Sequence, residues 1–189
     1  MKSSFLVSSG SFWRRTLLSG SAASLLSTAL VVLRSRQETG SRYAGLNAIS
    51  HWLWGPRAYR ADEATWRHTA PGLAIHQASA LFWGALFEML LRLLRPRPPR
   101  SANRSGNPPA SLSSLSLGDV AATAAVVTAV AALTDLRLVP DRLTPGFENR
   151  LRPGSVALVY LAFGCGLLAV GAWNARRAAT AASTVRALP

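Results

Sequence analysis

Apolar residues fall into four blocks separated by arginine-rich connectors. The blocks cover residues 16–33, 71–94, 117–139 and 155–173. A hydrocarbon core about 30 Å thick needs roughly 20 helical residues to cross it, and each block meets or approaches that length. The pattern predicts an all-α membrane protein with four transmembrane helices plus one short interfacial amphipathic helix. The expected organisation is a flexible N-terminal tail over 1–15, a four-helix transmembrane domain over 16–174 and a C-terminal tail over 175–189. The connector 95–116 holds five prolines, four arginines and many serines without apolar periodicity, so it is expected to be disordered.

Within the blocks, small residues recur at helical spacing. Ser19, Ala23 and Ser27 repeat every fourth residue of the first span, with Gly20, Ser24 and Thr28 beside them. Gln77, Ala80, Gly84 and Glu88 form a stripe on the second, and Ala121, Ala124, Thr128, Ala131 and Asp135 share a face of the third. The fourth carries Ala162, Gly164, Gly166 and Gly171. In lipid, apolar side chains gain little by meeting each other, whereas small residues let backbones approach. These faces are expected to look into the bundle.

The first connector is not a plain loop. Between Tyr43 and Trp54, Leu46, Ile49 and Leu53 share one helical face, and Asn47, Ser50, His51 and Trp54 share the other. With Trp52, Trp54 and Trp66 nearby, this predicts a short helix lying in the headgroup region, apolar face down. Gly55-Pro56 ends it. Ser116-x-x-Asp119 reads as a capping box at the start of the third span, and Pro140 stops that helix.

Composition sharpens the picture in two places. Hydrophobic residues make up 49% of the chain, yet mean hydropathy is only +0.20, because the polar residues are segregated between blocks. The net charge of +13 sits at span ends, which suits anionic lipid headgroups and not nucleic acid. The connectors are too short to bury a separate core, so no soluble catalytic domain is expected. Cys165, the only cysteine, lies mid-span between glycines as a packing residue.

Four spans put both termini on one side. That side collects eleven basic residues against ten on the other, a near balance under the positive-inside rule. Glu38, Asp62, Glu63, Asp141 and Glu148 all fall on the second side, which favours cytoplasmic termini. The N-terminal fifteen residues lack acids, as a mitochondrial presequence does. No small-x-small site precedes Arg34, so a retained first span is expected.

Ionisable residues at membrane depth mark function more often than elsewhere. Glu88 has Arg92 one turn on, and an interfacial i,i+4 ion pair is the simplest reading. Asp135 sits near the outer end of its span. His51, His76, Asp135, Glu148, Asn47 and Glu88 are the candidate polar cluster. The outer-face motifs are expected to dock, with the Leu143–Glu148 turn against His51 and His51 near His76. His51, His76 and Asp135 are the metal candidates, although no ligand spacing singles them out; no metal or other cofactor is expected.

The motifs Asn47-Ala48-Ile49-Ser50-His51-Trp52-Leu53-Trp54-Gly55, His76 with Ala78-Ser79-Ala80-Leu81-Phe82-Trp83, Phe87-Glu88 and Leu143-Thr144-Pro145-Gly146-Phe147-Glu148 resemble a group of small proteobacterial four-span inner-membrane proteins. More distantly the chain is similar to YagU-type inner-membrane proteins. The resemblance implies a bacterial inner membrane and brings no reaction. The expectation is a non-enzymatic accessory, envelope-stress or assembly component, with a homo-oligomer or another membrane protein as partner. The alternative is a small transporter or proton-coupled conduit using His76, Glu88 and Asp135. A shared cavity would favour the second; a bare packed bundle would favour the first.

Overall fold

A computed structural model describes residues 2–95 and 115–186. In chain order the helices are α1 (Lys2–Thr39), α2 (Ala44–Ile49), α3 (His51–Trp54), α4 (Thr69–Leu94), α5 (Leu117–Leu133) and α6 (Pro153–Arg186). Short 3-10 turns occupy Gly55–Arg60, Asp141–Leu143 and Phe147–Asn149, and α5 runs on into a π turn over Thr134–Leu138. No strand occurs among the described residues. Four helices are long and apolar enough to cross a membrane, over Ser11–Thr39, Thr69–Leu94, Leu117–Leu138 and Pro153–Thr180.

The helices overrun the apolar blocks at both chain ends. The backbone over 2–15 is helical and opens α1, and most of 175–189 continues α6. Nothing in either stretch breaks a helix: a lone Gly10 costs about 1 kcal/mol against Ala, and the tail after Trp173 is rich in alanine. At its other end α1 extends through Arg34–Thr39, where Arg34 and Glu38 pair at 3.1 Å. Gly40, with φ +81°, then reverses the chain. The expected disordered connector lies largely outside the described residues.

Helix α1 packs chiefly on α6 and α4. Ser19, Ala23 and Ser27 are fully buried or nearly so, as the small-residue stripe predicts. A Cβ on Gly166 of α6 would collide with Ala23 Cα. Ala80, Gly84 and Glu88 of the α4 stripe are buried as well. The face of α5 is turned by about one residue from expectation. Val120, Thr123, Ala124, Val127 and Ala131 are buried, while Ala121 is exposed. Valine is at home against lipid or protein, and here Val120 fills the space that Gly171 leaves open, 2.7 Å from where a Cβ would stand.

Two apolar layers stack along the bundle. One gathers Trp83, Phe87, Leu91, Val120, Val127 and Leu167. The other gathers Val31, Leu46, Ile49, Phe147, Val156 and Val159, so α2 and the Phe147 turn belong to the core. The short helical segment between the first two spans is packed on more sides than its pattern suggests. The segment breaks at Ser50 into α2 and α3, and Ala44 to His51 are buried on every face. Leu53 is 57% exposed on the protein surface. Asn47, Ser50 and His51 find protein partners instead of water, because two loops fold over them.

Candidate functional site

At the end of the bundle away from the termini, α2 and α3 are the floor of a folded cap. Asn47 is wholly buried and uses its amide fully. Its Nδ2 donates to the carbonyls of Ala61 and Glu63, each at 2.8 Å, and its Oδ1 accepts from the Thr69 hydroxyl at 2.7 Å. One side chain thereby ties α2, the 55–63 loop and the first residue of α4. Ser50 donates to Asn47 O at 2.7 Å. Arg150 joins the two loops through the Tyr59 carbonyl and an ion pair with Asp62 at 2.6 Å.

The expected docking of the Leu143–Glu148 turn on this floor is present. His51 Nδ1 lies 2.9 Å from Ala48 O, and Nε2 lies 3.2 Å from Asp141 O. Trp52 Nε1 donates to Thr144 O at 2.8 Å. Gly146 adopts φ +88°, and a Cβ there would stand 2.5 Å from Ala48 O. Only glycine meets both demands at once. Tyr59 packs on the His51 ring with centroids 5.2 Å apart. Burial pushes its hydroxyl above the ordinary tyrosine range, and the Glu148 and Asp141 carboxylates push the same way.

Below the cap lies a cavity of about 400 Å³, enclosed by all four long helices. His76 of α4 and Asp135 of the π turn both line it, together with Ser27, Ser79, Thr134 and Tyr160. The Val139 N–H bonds to Thr134 O at 3.0 Å, five residues back, and such widened turns recur at functional sites. The Tyr160 hydroxyl donates to Asp135 Oδ2 at 3.1 Å. Asp135 therefore faces the bundle and is not merely a turn cap. The Ser27 hydroxyl lies 2.8 Å from Ala23 O and 2.9 Å from His76 Nε2. Its single hydrogen goes back to the Ala23 carbonyl, as mid-helix serines commonly arrange. Ser27 Oγ then accepts from His76 Nε2–H, which leaves His76 Nδ1 as an acceptor.

The remaining candidates stand apart. His51, with each ring nitrogen on a carbonyl, belongs to the cap and not to the cavity. Among the described residues no group of three His, Cys, Asp or Glu side chains could hold a metal, so the candidates His51, His76 and Asp135 are not brought together as a ligand set. Glu148 lines a separate lateral groove between α5 and α6. Its Oε2 is buried with no hydrogen-bond partner among the described residues. Glu88 sits three turns along α4 from His76 and is only 2% exposed, with Arg15, Arg95 and Arg92 close enough to act on its carboxylate. The Arg92 guanidinium lies over the Phe12 ring, 4.3 Å from its centroid. The proposed trio of His76, Glu88 and Asp135 thus does not share one chamber.

Three contributors are hard to see in the sequence: Ser27 reads only as a packing residue, Tyr160 carries no signal, and the aromatic wall comes from four separate segments. An aromatic in mid-span opposite an acidic residue was the one available hint for Tyr160. No family model matches the chain, and no curated protein or solved structure matches it either.

Proposed function

We propose that this is a non-enzymatic integral membrane protein that binds a small amphipathic solute between its spans, the first step of a carrier's cycle. The observation that supports it is the cavity itself. Pockets of about 300–1,000 Å³ with an apolar lining and a few convergent polar groups are the usual form of small-molecule sites. This one has that form, with His76 on α4 and Asp135 on the π turn that follows α5. A bare accessory or assembly role does not call for such a chamber. Ala78 and Phe82 on its rim are exposed on α4, so the opening faces sideways, where a solute dissolved in the bilayer would arrive.

The test is direct binding to the purified protein in detergent, read by the fluorescence of Trp52 and Trp83, which both line the cavity. Saturable changes with some member of a panel of small amphiphiles, lost in Ala78→Phe, are expected. No saturable response to any cationic, neutral or anionic member would overturn the reading.

The membrane proposed is a bacterial inner membrane, with cytoplasmic termini and anionic lipids around the arginines. Three arginine–aromatic contacts at span ends support interfacial anchoring: Arg92 on Phe12, Arg67 on Trp54 and Arg177 on Trp173. A reporter active only in the periplasm, fused at Asn107, is expected to be silent; activity there would invert the orientation.

A further inference from the structure

The polar handles of the cavity share one chemical character. Asp135 offers a carboxylate, and His76, with its Nε2–H committed to Ser27 Oγ at 2.9 Å, offers the lone pair of Nδ1. Both are acceptors. Among the described residues the lining includes no lysine or arginine, so none of them complements an anion and Asp135 repels one. Around these handles stand six aromatic side chains: Trp52, Phe82, Trp83, Phe147, Tyr160 and Phe163. They are grouped in part as pairs. Phe82 and Trp83 meet edge to face at 5.2 Å, and Phe147 and Tyr160 lie 6.4 Å apart.

We infer that the solute is a protonated amine on an apolar body, its N–H groups held by Asp135 and His76 Nδ1 and its charge and hydrocarbon covered by the aromatic wall. This rests on the reading that the cavity binds a small amphiphile and names its class. Aromatic faces attract cations, and more strongly where water is excluded. A carboxylate adds the counter-charge that makes burial of a cation tolerable. Tyr160 assists from the side: its hydroxyl donates to Asp135 Oδ2 at 3.1 Å, which positions the carboxyl group without neutralising it. The acceptor at His76 further distinguishes an amine bearing N–H from its quaternary counterpart, which has no hydrogen to give.

The experiment uses a matched series on one apolar body: the primary amine, its trimethylammonium analogue, the alcohol and the carboxylate. Binding to the unaltered chain is read by tryptophan fluorescence. The expected order is amine first, trimethylammonium second, alcohol and carboxylate last, with at least about a tenfold gap between amine and alcohol. Asp135→Asn is expected to close that gap through loss of amine binding. Binding of the alcohol or carboxylate as tightly as the amine would overturn the inference and leave the solute-binding reading intact. Silence across the whole series would overturn both. Since the ranking is measured on the native sequence, it decides the matter even where Asp135→Asn does not fold.

Discussion

A Cβ built on Gly84 of α4 would stand 2.9 Å from the Cα of Gly20 on α1. At this crossing the two helices touch backbone to backbone. The reverse view agrees, since a Cβ on Gly20 would meet the Leu81 Cα and the Ala80 carbonyl, each at 2.9 Å. Neither neighbour is a flexible side chain that can swing away.

Gly84→Leu is therefore expected to push α1 off α4. Overpacking costs typically about 1–3 kcal/mol, and the upper end applies where the obstacle is backbone. Detergent thermal unfolding should fall by several degrees, and Gly20→Leu should do the same. Gly154→Ala is the control, because nothing lies within 4 Å of a Cβ there. A melting temperature for Gly84→Leu equal to that of Gly154→Ala would show that the crossing is looser than described.

The stripes on α1 and α4 were legible because close approach in lipid selects small side chains whatever surrounds them. The face of α5 was harder to read, since alanine and valine suit lipid and protein equally. The cap misled for a different reason. Asn47, Ser50 and His51 look like the wet face of an amphipathic helix, yet Asn47 and His51 find partners in loops up to 90 residues away, such as the Asp141 carbonyl opposite His51. Periodicity shows which residues share a face, not what will cover that face. The cavity was half visible: His76 and Asp135 stood out as membrane-depth polar groups, while Ser27 and Tyr160 became meaningful only once folding set them opposite these partners, 49 and 25 residues distant.

Tyr59 makes the cap sensitive to alkali. Its hydroxyl ionises above the ordinary range because burial and two nearby carboxylates disfavour the phenolate. A raised folded value means the contribution is fully present below the unfolded tyrosine value of about 10. It is lost as pH climbs through the higher folded value, because the unfolded chain releases its proton first. Stability should thus decline above about pH 10, and Tyr59→Phe should show a shallower decline. An unchanged alkaline slope in Tyr59→Phe, measured by thermal unfolding across that range, would assign the sensitivity elsewhere.

The docking of the loop after α5 on α3 can be checked in intact membranes. Trp52 Nε1 and the Thr144 carbonyl are 2.8 Å apart, so Trp52→Cys and Thr144→Cys together, with Cys165→Ala, should join through a short bifunctional thiol reagent. Pairing Thr144→Cys with Ser183→Cys is the negative control, because Ser183 lies at the opposite end of α6 from the cap. Efficient labelling of each single cysteine without a crosslink in the Trp52–Thr144 pair would count against a docked turn.

Asn47 offers the sharpest test of the cap, because its amide donates and accepts in fixed directions. Asn47→Asp keeps the shape and the acceptor toward Thr69 but turns a carboxylate oxygen toward the Ala61 and Glu63 carbonyls, replacing two hydrogen bonds by repulsion. Asn47→Ala leaves those carbonyls unmatched and opens space without introducing charge. Thr69→Val removes only the bond to Oδ1. A buried group left without its partner costs about 1–3 kcal/mol, and more where charge is involved. The expected order of damage is Asp greatest, Ala next and Thr69→Val least. The loop that Asn47 holds contains the exposed Arg57 and Arg60, so trypsin added to the cap side should cut there faster as the staple weakens. The same order in cleavage rate and in loss of thermal stability is expected. An Asn47→Asp protein as stable and as resistant as the native one would mean that the loop's other contacts, the Arg150–Asp62 pair among them, suffice to hold it.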